Sequence, residues 1–190
     1  MVWRLIFIAV LTFSLEADSI PLQGKHFGAE LNIPRLLTYS DSWKSFSGSF
    51  SYFDHEDNVE IALPWSVAFF TDRVGEVDEA HFDVTNVDVH YRKFLGEEMD
   101  GFYLSGFIRA SFLNGLLEYE DSYKKTTKLG LGVGLGYRVF AKNQPYYWGV
   151  GLIIGRYVTG ENELYREVGF GIEDAPIIAD IEFLKFGYAF

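Results

Sequence analysis

From about residue 25 to the C-terminus, large apolar residues recur at every second position. The clearest stretch alternates Leu129, Leu131, Val133, Leu135, Tyr137 and Val139 with Lys128, Gly130, Gly132, Gly134, Gly136 and Arg138. A period of two is the mark of a β-strand whose two faces meet different surroundings. The same reading gives Tyr146, Trp148, Val150, Leu152 and Ile154 against Tyr147, Gly149, Gly151, Ile153 and Gly155. It also sets Phe102, Leu104, Ile108, Ala110 and Phe112 against Tyr103, Ser105, Phe107, Arg109 and Ser111. Upstream, Ile61, Leu63, Trp65, Val67 and Phe69 alternate with Glu60, Ala62, Pro64, Ser66 and Ala68, while Phe46, Phe50 and Tyr52 oppose Ser47, Ser49 and Ser51. The first strand, 25–37, has Phe27, Ala29, Leu31 and Ile33 on one face and His26, Glu30, Asn32 and Pro34 on the other.

Two strands carry an irregularity in their pattern. Pro64 has no N–H to give a ladder, which predicts a local bulge or a missing bond. In 81–95, Phe82 and Val84 fall in one phase and Val87, Val89 and Tyr91 in the other, so a bulge near Asn86 is expected to restore the register. The last strand begins near residue 177 and reads Leu184, Phe186, Tyr188 and Phe190 outward, with Phe183, Lys185, Gly187 and Ala189 between them.

Eight strands result, each able to supply the roughly 9 to 11 residues that a tilted membrane-crossing strand needs. Their connections alternate in length. Segments 54–58, 96–100 and 141–144 are short and 71–80, 114–125 and 159–176 are long, the arrangement of an up-and-down barrel with both termini at one end. Ahead of them, Arg4 precedes an almost wholly apolar 5–15, too short to span a bilayer as a helix but suited to a secretory signal peptide. The expected division is a signal peptide at 1–17 and a barrel domain at 18–190.

Composition narrows the class further. Over 190 residues the net charge is −11, and loss of Arg4 and Glu16 with the signal leaves it unchanged. Nucleic acid is a poor partner for such a chain, because phosphate binding needs clustered Lys and Arg. With no cysteine there is neither disulfide nor thiol chemistry. Aromatic residues make up 18% and sit near many strand ends on the apolar face, as interfacial girdles do. A lipocalin-like soluble barrel is the competing all-β geometry, but its charged face would point outward. Here the second face of several strands is glycine and serine, which makes an implausible solvated exterior.

In strand number, alternation of connections and final aromatic residue, the mature chain resembles the small eight-stranded outer-membrane β-barrel proteins of the OmpA and OmpX type. The resemblance implies an all-β, antiparallel transmembrane barrel in the outer membrane of a Gram-negative bacterium. It further implies contact with outer-membrane lipid and lipopolysaccharide, and a monomer. Leu184, Phe186, Tyr188 and Phe190 would be the signal read by the barrel-assembly machinery. The implied role is non-enzymatic, either envelope-structural or surface recognition and adhesion, with no cofactor.

The inward phase holds Glu30, Glu60, Asp88, His90, Arg92, Arg109, Lys128, Arg138 and Lys185. Buried charges persist when paired, so Glu30 and Glu60 are expected to pair with Arg92, Arg138 or Lys185. The glycines of strands six and seven leave space that either inward rings such as Phe53, Tyr103 and Phe107 fill, or a lipid-binding or lipid A-modifying pocket occupies. Lipid A deacylase barrels carry a His with a Ser two residues on. The four histidines here are followed at that distance by Gly28, Asp57, Asp83 and Arg92, so no catalytic residue is assigned. His81 with Asp83 is the remaining base-and-orienter pair. The acidic loops, Asp72, Glu76, Asp78 and Glu79 among them, have no calcium-site spacing.

Overall fold

Alternation becomes a continuous ladder in the computed structural model, which describes residues 22, 24–37, 43–74, 78–96, 99–117, 122–141, 144–159 and 177–190. The elements are β1 (Phe27–Asn32), α1 (Ile33–Leu37), β2 (Trp43–Asp54), β3 (Val59–Val74), β4 (Asp78–Phe94), β5 (Gly101–Leu117), β6 (Ser122–Phe140), β7 (Tyr146–Tyr157) and β8 (Ile177–Ala189). Each strand pairs antiparallel with its sequence neighbours, and β8 returns to β1 to close an eight-stranded barrel. Closure pairs every strand on both sides, although the six-residue β1 is shorter than its neighbours β2 and β8. The expected signal segment 1–17 lies outside the described residues, as do residues 160–176.

The apolar phase faces out and the polar phase faces in. Along β6, Leu129, Leu131, Val133 and Leu135 are 45–61% exposed, whereas Lys128 and Arg138 are buried. From Phe82 to Phe94 the even residues of β4 run through the interior. Phe94 joins an aromatic cap with Leu22, Phe53, Met99, Tyr103, Phe140, Tyr147 and Ala189 at the end where Phe27 pairs with Phe190. Arg92, His90, Asp88 and Asn86 follow as polar layers, and Phe82 meets Leu113, Phe70 and Val84 near the other end. Asn58 ties two turns together beneath the cap. Its amide donates to the carbonyls of Phe94 and Gly96, and its oxygen accepts from the Met99 N–H at 2.9 Å.

Four expectations change. The first strand ends at Asn32, not Leu37, because α1 begins there: the Arg35 N–H donates to Asn32 Oδ1 at 3.4 Å, an N-cap, and Pro34 sits in the first turn where its missing N–H costs nothing. Segments 71–80 and 114–125 are mostly strand, with Asp72 paired to Ala80 and Leu117 to Ser122. Polar residues on both faces erase the period-two signal there, but a backbone ladder needs no apolar face. No bulge occurs at Asn86; β4 and β5 keep one register from Ala80 to Phe94, and Phe82 points inward at 3% exposure. The bulge lies instead in β8, where Phe183 and Leu184 together occupy the space opposite Val150. Phe183 therefore faces outward, against the expectation, at 55% exposure. At Pro64 the β3–β4 pairing does lapse, skipping Leu63 and Pro64 between Ala62↔His90 and Trp65↔Val87.

Candidate functional site

Four strands bring two acids and two bases into one buried layer. Glu30 comes from β1, Glu60 from β3, Arg92 from β4 and Arg138 from β6. Arg138 Nη2 donates to Glu60 Oε2 at 2.6 Å and Glu30 Oε1 at 2.9 Å; Arg92 Nη1 lies 3.0 Å from Glu60 Oε1 and 3.4 Å from Glu30 Oε1. Two carboxylates shared by two guanidiniums balance in charge, which is what a buried ionic cluster requires. Among the described residues, Arg92 Nε and Nη2 and Arg138 Nη1 have no hydrogen-bond acceptor. Rings stand where acceptors would: the Arg138 guanidinium is 4.4 Å from the Tyr147 centroid and 4.9 Å from that of Phe94, and Arg92 lies 5.4 Å from Tyr103.

A second layer centres on Asp88. Arg109 grips its two oxygens through Nε and Nη2, each at 2.8 Å, and His90 Nε2 lies 3.2 Å from Oδ2. The imidazole stacks on Phe107 with centroids 5.2 Å apart. Beyond Asp88, Asn86 donates to Ser66 Oγ at 3.1 Å and accepts from Ser111 Oγ at 2.6 Å, and the same hydroxyl lies 2.8 Å from the Tyr157 hydroxyl. Lys185 donates to Glu182 Oε2 at 2.8 Å and to the Tyr103 hydroxyl at 3.2 Å, with Glu30 Oε2 at 3.8 Å.

All nine inward charges singled out from the sequence are buried, and those other than Lys128 fall into two adjoining layers. Glu182 escaped notice because alternation carried back from Phe190 puts it outward, and only the β8 bulge turns it in. Arg35 and Asp180, joined at 2.5 Å, were hidden by reading α1 as strand. Asn86 is inward by simple alternation once no bulge interrupts β4, Ser111 lies on the inward face expected for β5, and Tyr157 continues the inward phase of β7. Lys128 is buried, with its ammonium 5.5 Å from the Tyr157 ring. The side chain of His81 lies outside the described residues, and Asp83 accepts from Asn114 at 2.7 Å. The acidic loop side chains Asp72, Glu76, Asp78 and Glu79 also lie outside. Among the described residues no cluster of three or more metal-ligating His, Asp or Glu side chains forms.

Rings occupy the space beside the glycine wall. A Cβ on Gly132 would meet Phe107 at 2.6 Å, one on Gly136 would meet Tyr103 at 2.2 Å, and one on Gly187 would meet Tyr147 at 2.1 Å. An open cleft lies across the barrel, lined by residues of β1, α1, β2, β3, β4, β5 and β8. It leaves about 20 Å³ for the centres of water molecules, room for one or two waters. Comparison of the chain with protein-family models, curated proteins and solved structures finds no match.

Proposed function

We propose that this protein is a non-enzymatic barrel of the Gram-negative outer membrane, serving the envelope structurally or presenting its loops for recognition and adhesion. One observation carries the membrane reading: the polarity of the barrel is inverted relative to a soluble one. Leu104, Ile108, Leu131, Val133, Leu135, Leu152 and Ile154 form adjoining outward rows on β5, β6 and β7. A contiguous apolar surface of that size belongs against lipid or a partner. Inside, acids and bases are spent on one another, which favours a structural core over a reactive centre. Eight strands also leave an interior only wide enough for side chains or one small ligand.

Heat-modifiable migration on a gel, together with fractionation to the outer membrane, tests this reading. A chain that migrates the same with and without boiling and fractionates as a soluble periplasmic protein would overturn it. Replacing residues 160–176 with a short turn then separates the two roles. Loss of surface adhesion with intact detergent resistance marks recognition, and the reverse marks an envelope-structural part.

A further inference from the structure

The barrel wall lacks half a stave between β2 and β8. β1 stops pairing at Leu31↔Gly48 on one side and Asn32↔Lys185 on the other. Beyond those pairs, 43–47 of β2 and 177–184 of β8 run on with β3 and β7 as their only strand neighbours among the described residues, and α1 packs between them. A single helical turn cannot continue either ladder, so among the described residues those facing edges have no strand partner. α1 is clasped to β8 by Arg35, whose Nη2 reaches both oxygens of Asp180 at 2.5 and 2.6 Å.

Two further irregularities border the same cleft. The β3–β4 ladder lapses at Leu63 and Pro64, and in β8 the bulge holds Leu184 at φ +47°, a conformation disfavoured for any residue with a Cβ. Backbone irregularity gathers where a wall must open or a ligand must sit. The polar side of the cleft offers Ser47, Ser49, Ser66 and Asn86. Its charges are all paired, Arg35 with Asp180, Arg109 with Asp88, Lys185 with Glu182, and Glu30 with Arg138 behind the lining. The outer rim is apolar, formed by Leu31 and by Trp65, whose ring lies over Gly48.

We propose that this seam is a lateral binding site for an uncharged, hydroxyl-bearing amphiphile of the monoacylglycerol kind, with α1 as the strap that admits it. Hydroxyls of the head group meet Ser47, Ser49 and Asn86, and the chain leaves between β2 and β8 over Leu31 and Trp65. Matched charges give an ionic head group nothing to pair with. The closed cleft is too small for the head group, so entry requires α1 to leave Asp180. The inference rests on the outer-membrane reading, because only then does the seam face lipid.

The absence of cysteine makes the test clean. Ser49→Cys and, as an inward control behind Gly134, Ser105→Cys are refolded into phospholipid vesicles. Each is then treated with N-dodecylmaleimide dissolved in the bilayer, or with water-borne methanethiosulfonate ethylsulfonate. The Ser49→Cys thiol reacts with the lipid-borne reagent and the control does not. Adding Arg35→Ala speeds the reaction about tenfold, the population shift expected from losing one charge-assisted pair. Monododecanoylglycerol slows it, whereas dodecyltrimethylammonium leaves it unchanged. Equal rates at the two thiols, faster reaction from the water side, or indifference to Arg35→Ala overturns the seam. Should Ser49→Cys fail to refold, Ser47→Cys takes its place. A barrel that inserts with heat-modifiable migration but an unreactive thiol defeats the seam alone; a chain that never inserts defeats the membrane reading.

Discussion

Glu182 and Lys185 stand three residues apart on one strand yet point into the same interior, Oε2 and Nζ 2.8 Å apart. In a regular strand residues three apart face opposite ways. The extra residue at Phe183–Leu184 makes the pairing possible, and Leu184 takes up the turn at φ +47°. Ala and Gly at position 184 remove nearly the same side chain, so their difference isolates the backbone. Ordinary strand positions favour Ala. Here the Leu184→Gly protein is expected to exceed Leu184→Ala by about 1 kcal/mol, since Gly alone adopts positive φ freely. Urea unfolding in vesicles, followed by tryptophan fluorescence, reads the sign, and Ala above Gly would show that the bulge is not strained.

The layer of Glu30, Glu60, Arg92 and Arg138 yields a double-mutant cycle. Removing one member leaves an opposite charge buried without its match, so Glu60→Met and Arg92→Met are each expected to cost about 3–5 kcal/mol. Removing both leaves Glu30 with Arg138, a 2.9 Å contact already in place. The double variant is then expected to be about 2 kcal/mol more stable than the two single costs added together. Strict additivity in equilibrium unfolding would mean the four groups act independently.

Glycines in the wall divide by what an added methyl would strike. At Gly187 the three nearest atoms all belong to the Tyr147 side chain, the closest at 2.1 Å. At Gly132 the backbone itself intrudes, with Ile154 O at 2.3 Å and the Gly155 Cα at 2.5 Å. Overpacking costs about 1–3 kcal/mol at either site. Tyr147→Leu is expected to recover much of the loss at Gly187→Ala, while Phe107→Leu is not expected to rescue Gly132→Ala. Gly106 meets nothing within 4 Å and faces out, so Gly106→Ala serves as the near-neutral comparison.

Legibility in the sequence followed the strength of alternation. β5, β6 and β7 carry an unbroken apolar face, and their inward and outward residues were assigned correctly from it. The failures have local causes. Asn32 and Pro34 together are a helix-start signal that the longer alternation from Phe27 to Ile33 obscured. Phe82 broke the phase of β4 because the interior turns apolar near that end, so a hydrophobic residue pointed in without any bulge. In β8, both Glu182 and Phe183 belong to the phase set by Ile177 and Ile181, and only pairing with β7 shows where that phase ends. Glu30, Glu60, Arg92 and Arg138 were visible as inward charges from single strands, but their sharing of one layer depended on the stagger between strands.

Phe190 closes the chain against Phe27. Their backbones exchange hydrogen bonds at 2.9 and 3.2 Å, and their rings stack with centroids 6.3 Å apart. Both rings face out to nearly the same degree, 53% for Phe27 and 55% for Phe190. That equivalence separates folded-state stability from recognition of the final strand during assembly. Near a membrane interface a carboxylate costs only about 1 kcal/mol or less, so Phe27→Asp and Phe190→Asp are expected to lower in-vesicle stability by similar, modest amounts. In cells their effects are expected to diverge, with Phe190→Asp removing most of the heat-modifiable protein from the outer membrane and Phe27→Asp sparing it. Quantifying folded and unfolded bands from membrane fractions of both strains decides the matter. Equal losses would reduce Phe190 to one more outward ring, and a selective loss would assign Leu184, Phe186, Tyr188 and Phe190 the role of an assembly signal.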